Sequence, residues 1–351
     1  MAFKKTAKNN ITKLMTAWSH DFKIMVPTRK NSVIEFGDWD GKDVDFRVWY
    51  RNTVVPPKVF LLPVWEEMIR FSKNNHGWGL EVPGSEQKVL IFGVRPCDAR
   101  GMAIINDVFK DGYPDYYYDI KRRRTVTVGL NCVQPYDSCF CTSMGIDPAM
   151  SKDVDVMLID AGDDFIMEAL TDAGAKLLHG EFIRSASAQE VQMARSMASS
   201  VTGKIHRKLN THGLSEKLLD RFSDTELWKE IAAKCLSCGI CTFLCPTCFC
   251  FEIYDESFKK QGSRYRGWDS CSFKLYTQMP MENPREEKWK RIRQRVCHKF
   301  EFHPINTGNF ACTGCGRCIR LCPVNWDITQ VIAQITGTMD SSLTEPSKNK
   351  V

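Results

Sequence analysis

No stretch of the sequence approaches the eighteen or so consecutive apolar residues that a membrane-spanning helix requires. The start, Met1-Ala2-Phe3-Lys4-Lys5, is basic, but Asn9, Asn10, Thr12 and Lys13 break up the residues beyond it, so no secretory leader is expected. There is no Walker motif, no GxGxxG fingerprint and no flavin signature, which argues against a nucleotide site on this chain. The charge excess is only +6 over 351 residues, modest for a nucleic-acid-binding domain. Histidines number seven and are scattered; His298 and His303 are the two that flank a cysteine motif. The chain reads as soluble and cytoplasmic, and a hydrophobic fraction of 43% supports an ordinary buried core.

Cysteine is what the sequence has in excess. None of the sixteen occurs before Cys97 or between Cys141 and Cys235. Cys97, Cys132, Cys139 and Cys141 lie in the first half, and the other twelve fall between Cys235 and Cys322. In a long chain with no sign of export, cysteines at short spacings point to bound metal rather than to a disulfide framework.

The gap between the two groups predicts a domain boundary near residues 210–222. The first part, 1–215, reads as a mixed α/β domain. Val89–Val94, Thr125–Leu130 and Val154–Ile159 are short apolar, β-branched runs that suit buried strands, and 188–199 reads as a helix. The second part, 216–338, reads as mainly helical, which makes the whole chain α+β. Ser223-Asp224-Thr225-Glu226 has the form of a capping box, with Phe222 and Leu227 as its hydrophobic staple. Val324, Ile328, Val331, Ile332 and Ile335 form an apolar stripe at helical spacing that ends at Gly337. Residues 339–351, rich in Ser, Lys and Asn, are expected to be a mobile tail.

The strongest signal is doubled. Cys235-x2-Cys238-x2-Cys241-x3-Cys245-Pro246 and Cys312-x2-Cys315-x2-Cys318-x3-Cys322-Pro323 have identical spacing. In two-cluster ferredoxins the fourth cysteine of each run ligates the other cluster. Cys235, Cys238, Cys241 and Cys322 are therefore assigned to one [4Fe-4S] cluster, and Cys312, Cys315, Cys318 and Cys245 to a second. Zinc sites use separated ligand pairs and fit this pattern poorly. Full thiolate ligation leaves no evident substrate position, so the expected task is one-electron relay.

Between the motifs lie 66 residues containing Cys248, Cys250, Cys271 and Cys297. Cys248, Cys250 and Cys271 are candidates for an additional cluster or, equally, for small apolar residues lining the cluster pocket. Cys297, beside His298 in a basic stretch, reads as buried filler. In the first half, Cys97 and Cys132 each follow a predicted strand and Cys139-Phe140-Cys141 occupies the next loop. Four cysteines converging there match one [4Fe-4S] cluster, and a structural zinc has the same ligand count.

The strings GVRPCDARG, GLNC with CFCTSMG, CLSCGICTFLCPTCFCF, WDSC and CTGCGRCIRLCP occur in this order. The chain thereby resembles, over roughly residues 85–335, the family containing the beta subunit of cytoplasmic sulfhydrogenase and the A-subunit of anaerobic sulfite reductase. The resemblance implies anaerobic metabolism and a third cluster on Cys97, Cys132, Cys139 and Cys141. It also implies an adaptor between a flavin subunit handling NAD(P)H and a terminal redox subunit, whether hydrogenase, sulfite reductase or heterodisulfide reductase-like. The chain is then an electron-transfer subunit rather than a catalytic one.

Two rivals of other classes stand beside it. One is a catalytic enzyme with a substrate-binding cluster at Cys248, Cys250 and Cys271. The other is a nucleic-acid-processing protein using the basic runs Lys121–Arg124 and Lys288–Lys299; offsetting the negative charge of nearby clusters or, equally, docking an acidic partner is the preferred reading of those runs.

Overall fold

A computed structural model of the chain describes residues 3–42, 50–75, 77–84 and 86–338. The tail expected over 339–351 lies outside the described residues. The fold is α+β, built on two sheets. Eight strands make the larger: β1 (Lys4–Ala7), β2 (Lys23–Lys30), β3 (Val33–Asp38), β6 (Val89–Val94), β7 (Thr125–Leu130), β8 (Val156–Ala161), β9 (Asp164–Ala169) and β10 (Arg184–Ser185), in the order β10-β1-β9-β8-β7-β6-β2-β3. Four more, β4 (Trp65–Asn74), β5 (Gly77–Glu81), β11 (Phe251–Phe258) and β12 (Gln261–Trp268), form the second sheet in the order β11-β12-β4-β5.

Strands β2, β6, β7 and β8 are mutually parallel, and the others in the large sheet pair antiparallel. Parallel strands are covered on both faces, so their sequences run continuously apolar instead of alternating. β7 is buried at all six positions, and β6 at all but its first. Leu90, Phe92, Val128, Val156, Phe165 and Met167 fill the core against the helix Ile11–Trp18. On the other face the helix Ala188–Ser199 covers Ile159 and Ile166; it is closed at its start by a capping box between Ser187 and Glu190.

The motif-bearing region has its own core, around Trp228, Val296, Phe300, Trp326 and Ile332. Its entry helix is Thr225–Ala232, and the cap is Asp224, whose carboxylate accepts from the Leu227 N–H at 3.2 Å. The cap is thus one residue later than the capping box read from the sequence. Asp and Ser are comparable N-caps, and starting at Asp224 buries Trp228, Ile231 and Ala232 on one side. The stripe after Cys322 becomes the helix Ile328–Thr336, stopped at Gly337 with φ +68°. Between the motifs the chain makes the β11–β12 hairpin, for which the sequence carried no expectation. Among the described residues no helix is long and apolar enough to cross a membrane.

Candidate functional site

β6 and β7 run side by side and end at the same edge of the sheet. Pro96 occupies the first turn of the helix Pro96–Lys110, which sets Cys97 directly beyond β6. Cys132 follows the end of β7, and its N–H donates to Pro148 O at 2.8 Å. Arg95 ties these ends together. Its guanidinium donates to the carbonyls of Arg51 (3.0 Å) and Leu130 (3.3 Å), also to those of Asn131 and Tyr50, and lies 4.1 Å from the centre of the Tyr50 ring.

Cys97, Cys132, Cys139 and Cys141 line a single cavity, so the two strand ends and the following loop converge as the sequence predicts. Burial raises all four thiols above their ordinary range, Cys141 to about 12. Such thiols become thiolates only when a cation at the site offsets the cost of burying their charge, as metal coordination does.

A second cavity is lined by Cys245 from the first motif and by Cys312, Cys315 and Cys318 from the second. This brings together the cross-paired set expected from the spacing. Hydrogen bonding from Cys248 holds the Cys245 thiol well below its usual range, and the Lys299 ammonium, 3.2 Å from Cys245 Sγ, adds to this.

Of the remaining motif cysteines, Cys235 and Cys322 pack against the core of this region, whereas Cys238 is exposed and no one cavity gathers the four among the described residues. Cys235 ends the entry helix region, Cys241 sits in the short helix Ile240–Phe243, and Cys322 follows its counterpart Arg317–Arg320. Those two short helices lie against each other. Cys235 and Cys322 pack on one hydrophobic cluster, and Trp326, which donates through Nε1 to Ile231 O, joins the end of one motif to the start of the other.

The two motifs share more than spacing. Ser237 (φ +55°) matches Gly314 (φ +60°), and Gly239 matches Gly316, both at φ +75°. The left-handed turns aim backbone N–H groups at sulfur: Ser237 N to Cys235 Sγ is 3.3 Å, and Gly314 N to Cys312 Sγ is 3.5 Å. Trp326 N donates to Cys322 Sγ at 3.2 Å. Such donors favour the thiolate over the thiol and suit sulfur that carries negative charge. Among the described residues no three His, Cys, Asp or Glu side chains are gathered as a single metal ion requires. A cubane differs in spreading four thiolates around its corners.

Offsetting cluster charge is one reading of the basic run Lys288–Lys299, whereas the buried cations outside that run carried no such expectation. Arg291, Arg295 and Lys299 all face inward, as do Lys58, Arg317 and Arg320. The first three recur every fourth residue along the helix Lys288–Cys297 and the π-helical turn His298–Phe302, a spacing that the sequence displays. Lys58 gave no signal. The other basic run is taken up locally: Lys121 pairs with Glu66, Arg122 donates to Thr125 O, and Arg123 pairs with Asp119. Cys297 packs in the core beside Val296 and Phe300, with Glu301 hydrogen-bonded to its thiol. His298 is half-buried, edge-on to the Phe249 ring, and His303 Nδ1 meets Asn309 O at 2.8 Å. All sixteen cysteines are free of disulfides.

A family model described as a 4Fe-4S dicluster domain matches residues 234–326. Over 317 residues the chain is 30% identical to sulfhydrogenase 2 subunit beta of Pyrococcus furiosus, an alignment that covers 89% of this chain and 92% of that protein. No solved structure matches the chain significantly.

Proposed function

The chain belongs to the sulfhydrogenase beta-subunit family and is an iron–sulfur electron-transfer subunit, and from that premise we propose that it is a three-site relay inside a cytoplasmic oxidoreductase complex. Residues 1–215 supply the first site through Cys97, Cys132, Cys139 and Cys141. Residues 216–338 supply the pair, one site on Cys235, Cys238, Cys241 and Cys322 and the other on Cys312, Cys315, Cys318 and Cys245. Bound at these positions, [4Fe-4S] clusters provide reversible one-electron transfer.

The observation that carries the reading is the position of Cys315. It lines the cavity of the four first-half cysteines and also the cavity it shares with Cys245, Cys312 and Cys318. Cys139 Sγ lies 3.6 Å from Cys315 O, and the Phe140 N–H donates to Gly314 O at 2.8 Å. The first-half site and the ferredoxin pair therefore have a wall in common, as a wire requires and separate structural metals do not. What the chain's own residues do is hold sulfur, exclude water and set the local charge.

With no nucleotide fingerprint in the sequence, NAD(P)H and flavin chemistry fall to one partner subunit. At the other end stands a terminal redox subunit of hydrogenase, sulfite reductase or heterodisulfide reductase-like type. Iron and acid-labile sulfide on the anaerobically purified chain, with zinc measured alongside, test this. No fewer than about twelve irons are expected from three cubanes. About eight irons with one zinc would leave the first-half site merely structural, and absence of iron would sink the relay altogether.

A further inference from the structure

Between the first-half site and solvent runs the segment Lys204–Lys208. Burial alternates along it: Ile205 and Arg207 are buried, while Lys204, His206 and Lys208 are exposed. Ile205 lines the cavity of Cys97, Cys132, Cys139 and Cys141. Arg207 Nη1 donates to Asp327 Oδ2 at 2.8 Å and to Thr329 Oγ1 at 2.7 Å, a buried ion pair that pins the segment to the start of the helix Ile328–Thr336. The segment is thus a strap over the site that turns Lys204 and Lys208 to solvent.

Beside the strap, one cysteine of the site comes near the surface. Cys132 is half-buried, and with Gln134 it lines both that cavity and a neighbouring surface cleft of about 620 Å³. Met197, Val201 and Lys204 also line the cleft. Met193 and Met197 are 59% and 53% exposed one turn apart on the helix Ala188–Ser199, so the cleft continues into an apolar strip. Thioether side chains adapt to whatever covers them, which suits a contact surface. The lysines next to it lack compensating charge. The Lys204 ammonium donates to Val133 O at 3.2 Å and that of Lys208 to Thr142 Oγ1 at 3.2 Å, and among the described residues neither pairs with a carboxylate. Asp160, the carboxylate that lines the cleft, is taken by Lys8 at 2.6 Å.

We propose that this face is the docking surface for an acidic electron-transfer protein, with Cys132 as the point where electrons cross. The inference deepens the relay reading and rests on it. Electron transfer between proteins weakens steeply with separation, so the port belongs where a thiolate of the site stands nearest the surface. An apolar strip flanked by unpaired lysines fits a partner that sets carboxylates around an apolar patch, since interfaces combine an apolar centre with a polar rim. Opposite charge speeds the encounter and fixes its register more than it adds affinity. The step moves one electron and nothing else. The first-half site goes from [4Fe-4S]+ to [4Fe-4S]2+ as the partner's centre is reduced by one electron, with no bond broken and no proton moved.

The test uses the full chain, loaded and reduced anaerobically, with two one-electron acceptors of opposite surface charge: an acidic blue-copper protein and cytochrome c, which is basic. Stopped-flow absorbance follows oxidation at several salt concentrations. The acidic acceptor is expected to react fast at low salt and to slow as salt rises. K204E/K208E is expected to slow it on the order of tenfold at low salt and to flatten its salt dependence. Iron content and the rate with cytochrome c should not fall. M193S/M197S is expected to slow the acidic acceptor at every salt concentration. Should K204E/K208E lose iron, K204Q/K208Q takes its place, with the same expectation and a smaller slowing. An acidic-acceptor rate that the charge variants leave unchanged, with iron retained, would overturn the port while the relay stands. A dimer seen by light scattering and abolished by K204E/K208E would give the face to a second copy of this chain instead. A chain without iron would overturn the relay and the port together.

Discussion

Arg317 and Asp98 form a fully buried, two-pronged ion pair, with Nη1 to Oδ1 at 2.5 Å and Nη2 to Oδ2 at 2.9 Å. Asp98 directly follows Cys97, and Arg317 directly precedes Cys318, so the pair rivets the first-half site to the second ferredoxin motif. Arg317 Nε also donates to Thr53 O at 2.7 Å. Removing one member strands the other charge in the interior. Asp98→Asn is expected to cost about 3–5 kcal/mol in a denaturant titration of the loaded protein, whereas replacing both members (D98L/R317M) recovers most of it. Equal losses in the single and double variants would contradict this.

Gly314 is a second joint between the two regions. Its φ is +60°, and a Cβ there would lie 2.5 Å from Cys141 N. Gly314→Ala must both strain the turn and push the Phe140–Cys141 backbone away. The expected result is loss of about four irons, those of the first-half site, with the ferredoxin-type signals retained. Unchanged iron content would show that the loops can separate freely.

Lys299 sets local potential. Its ammonium is 3.2 Å from Cys245 Sγ in a buried setting, where charge is poorly screened. Positive charge favours the reduced, more negative state, so Lys299→Met is expected to lower the potential of the site on Cys245, Cys312, Cys315 and Cys318. The shift should be on the order of 60 mV, one decade for a one-electron couple. Redox titration by electron paramagnetic resonance measures it, and a shift upward would reverse the argument.

His298 makes stability depend on acid. Burial, with Lys299 nearby, lowers its pKa from 6.5 to about 4. Between those values the unfolded chain binds a proton that the folded chain refuses, so stability rises with pH across the window. The contribution is complete above about pH 6.5 and is lost progressively as pH falls toward 4. A His298→Leu variant should show a flatter melting-temperature profile between these limits, and an unchanged slope would assign the acid sensitivity elsewhere.

How much could be read from the sequence depends on how local each signal is. β6 and β7 were legible because strands buried on both faces are continuously apolar, and the helix Ala188–Ser199 because its periodicity lies within its own residues. The ferredoxin motifs were legible because four ligands within one short run leave few alternatives. The β11–β12 hairpin was not. Its strands carry Glu252, Asp255, Glu256, Arg264 and Arg266 among aromatics, and their pairing partner, β4, lies far earlier in the chain. No local pattern encodes that distance. Lys58 and Asn52, which reach Cys248 O and Cys315 O, were illegible for the same reason.

The mixed parentage of the small sheet has a consequence for biosynthesis. β4 and β5 are translated early and wait for β12, so the sheet stays incomplete until residue 268 has left the ribosome. The first-half cavity waits longer, because Cys315 closes one of its walls. A nascent chain therefore presents Cys97, Cys132, Cys139 and Cys141 in an unsealed state through most of its synthesis. Iron delivered to them before the last motif emerges would meet solvent on one side, which makes cofactor loading a task for the finished chain.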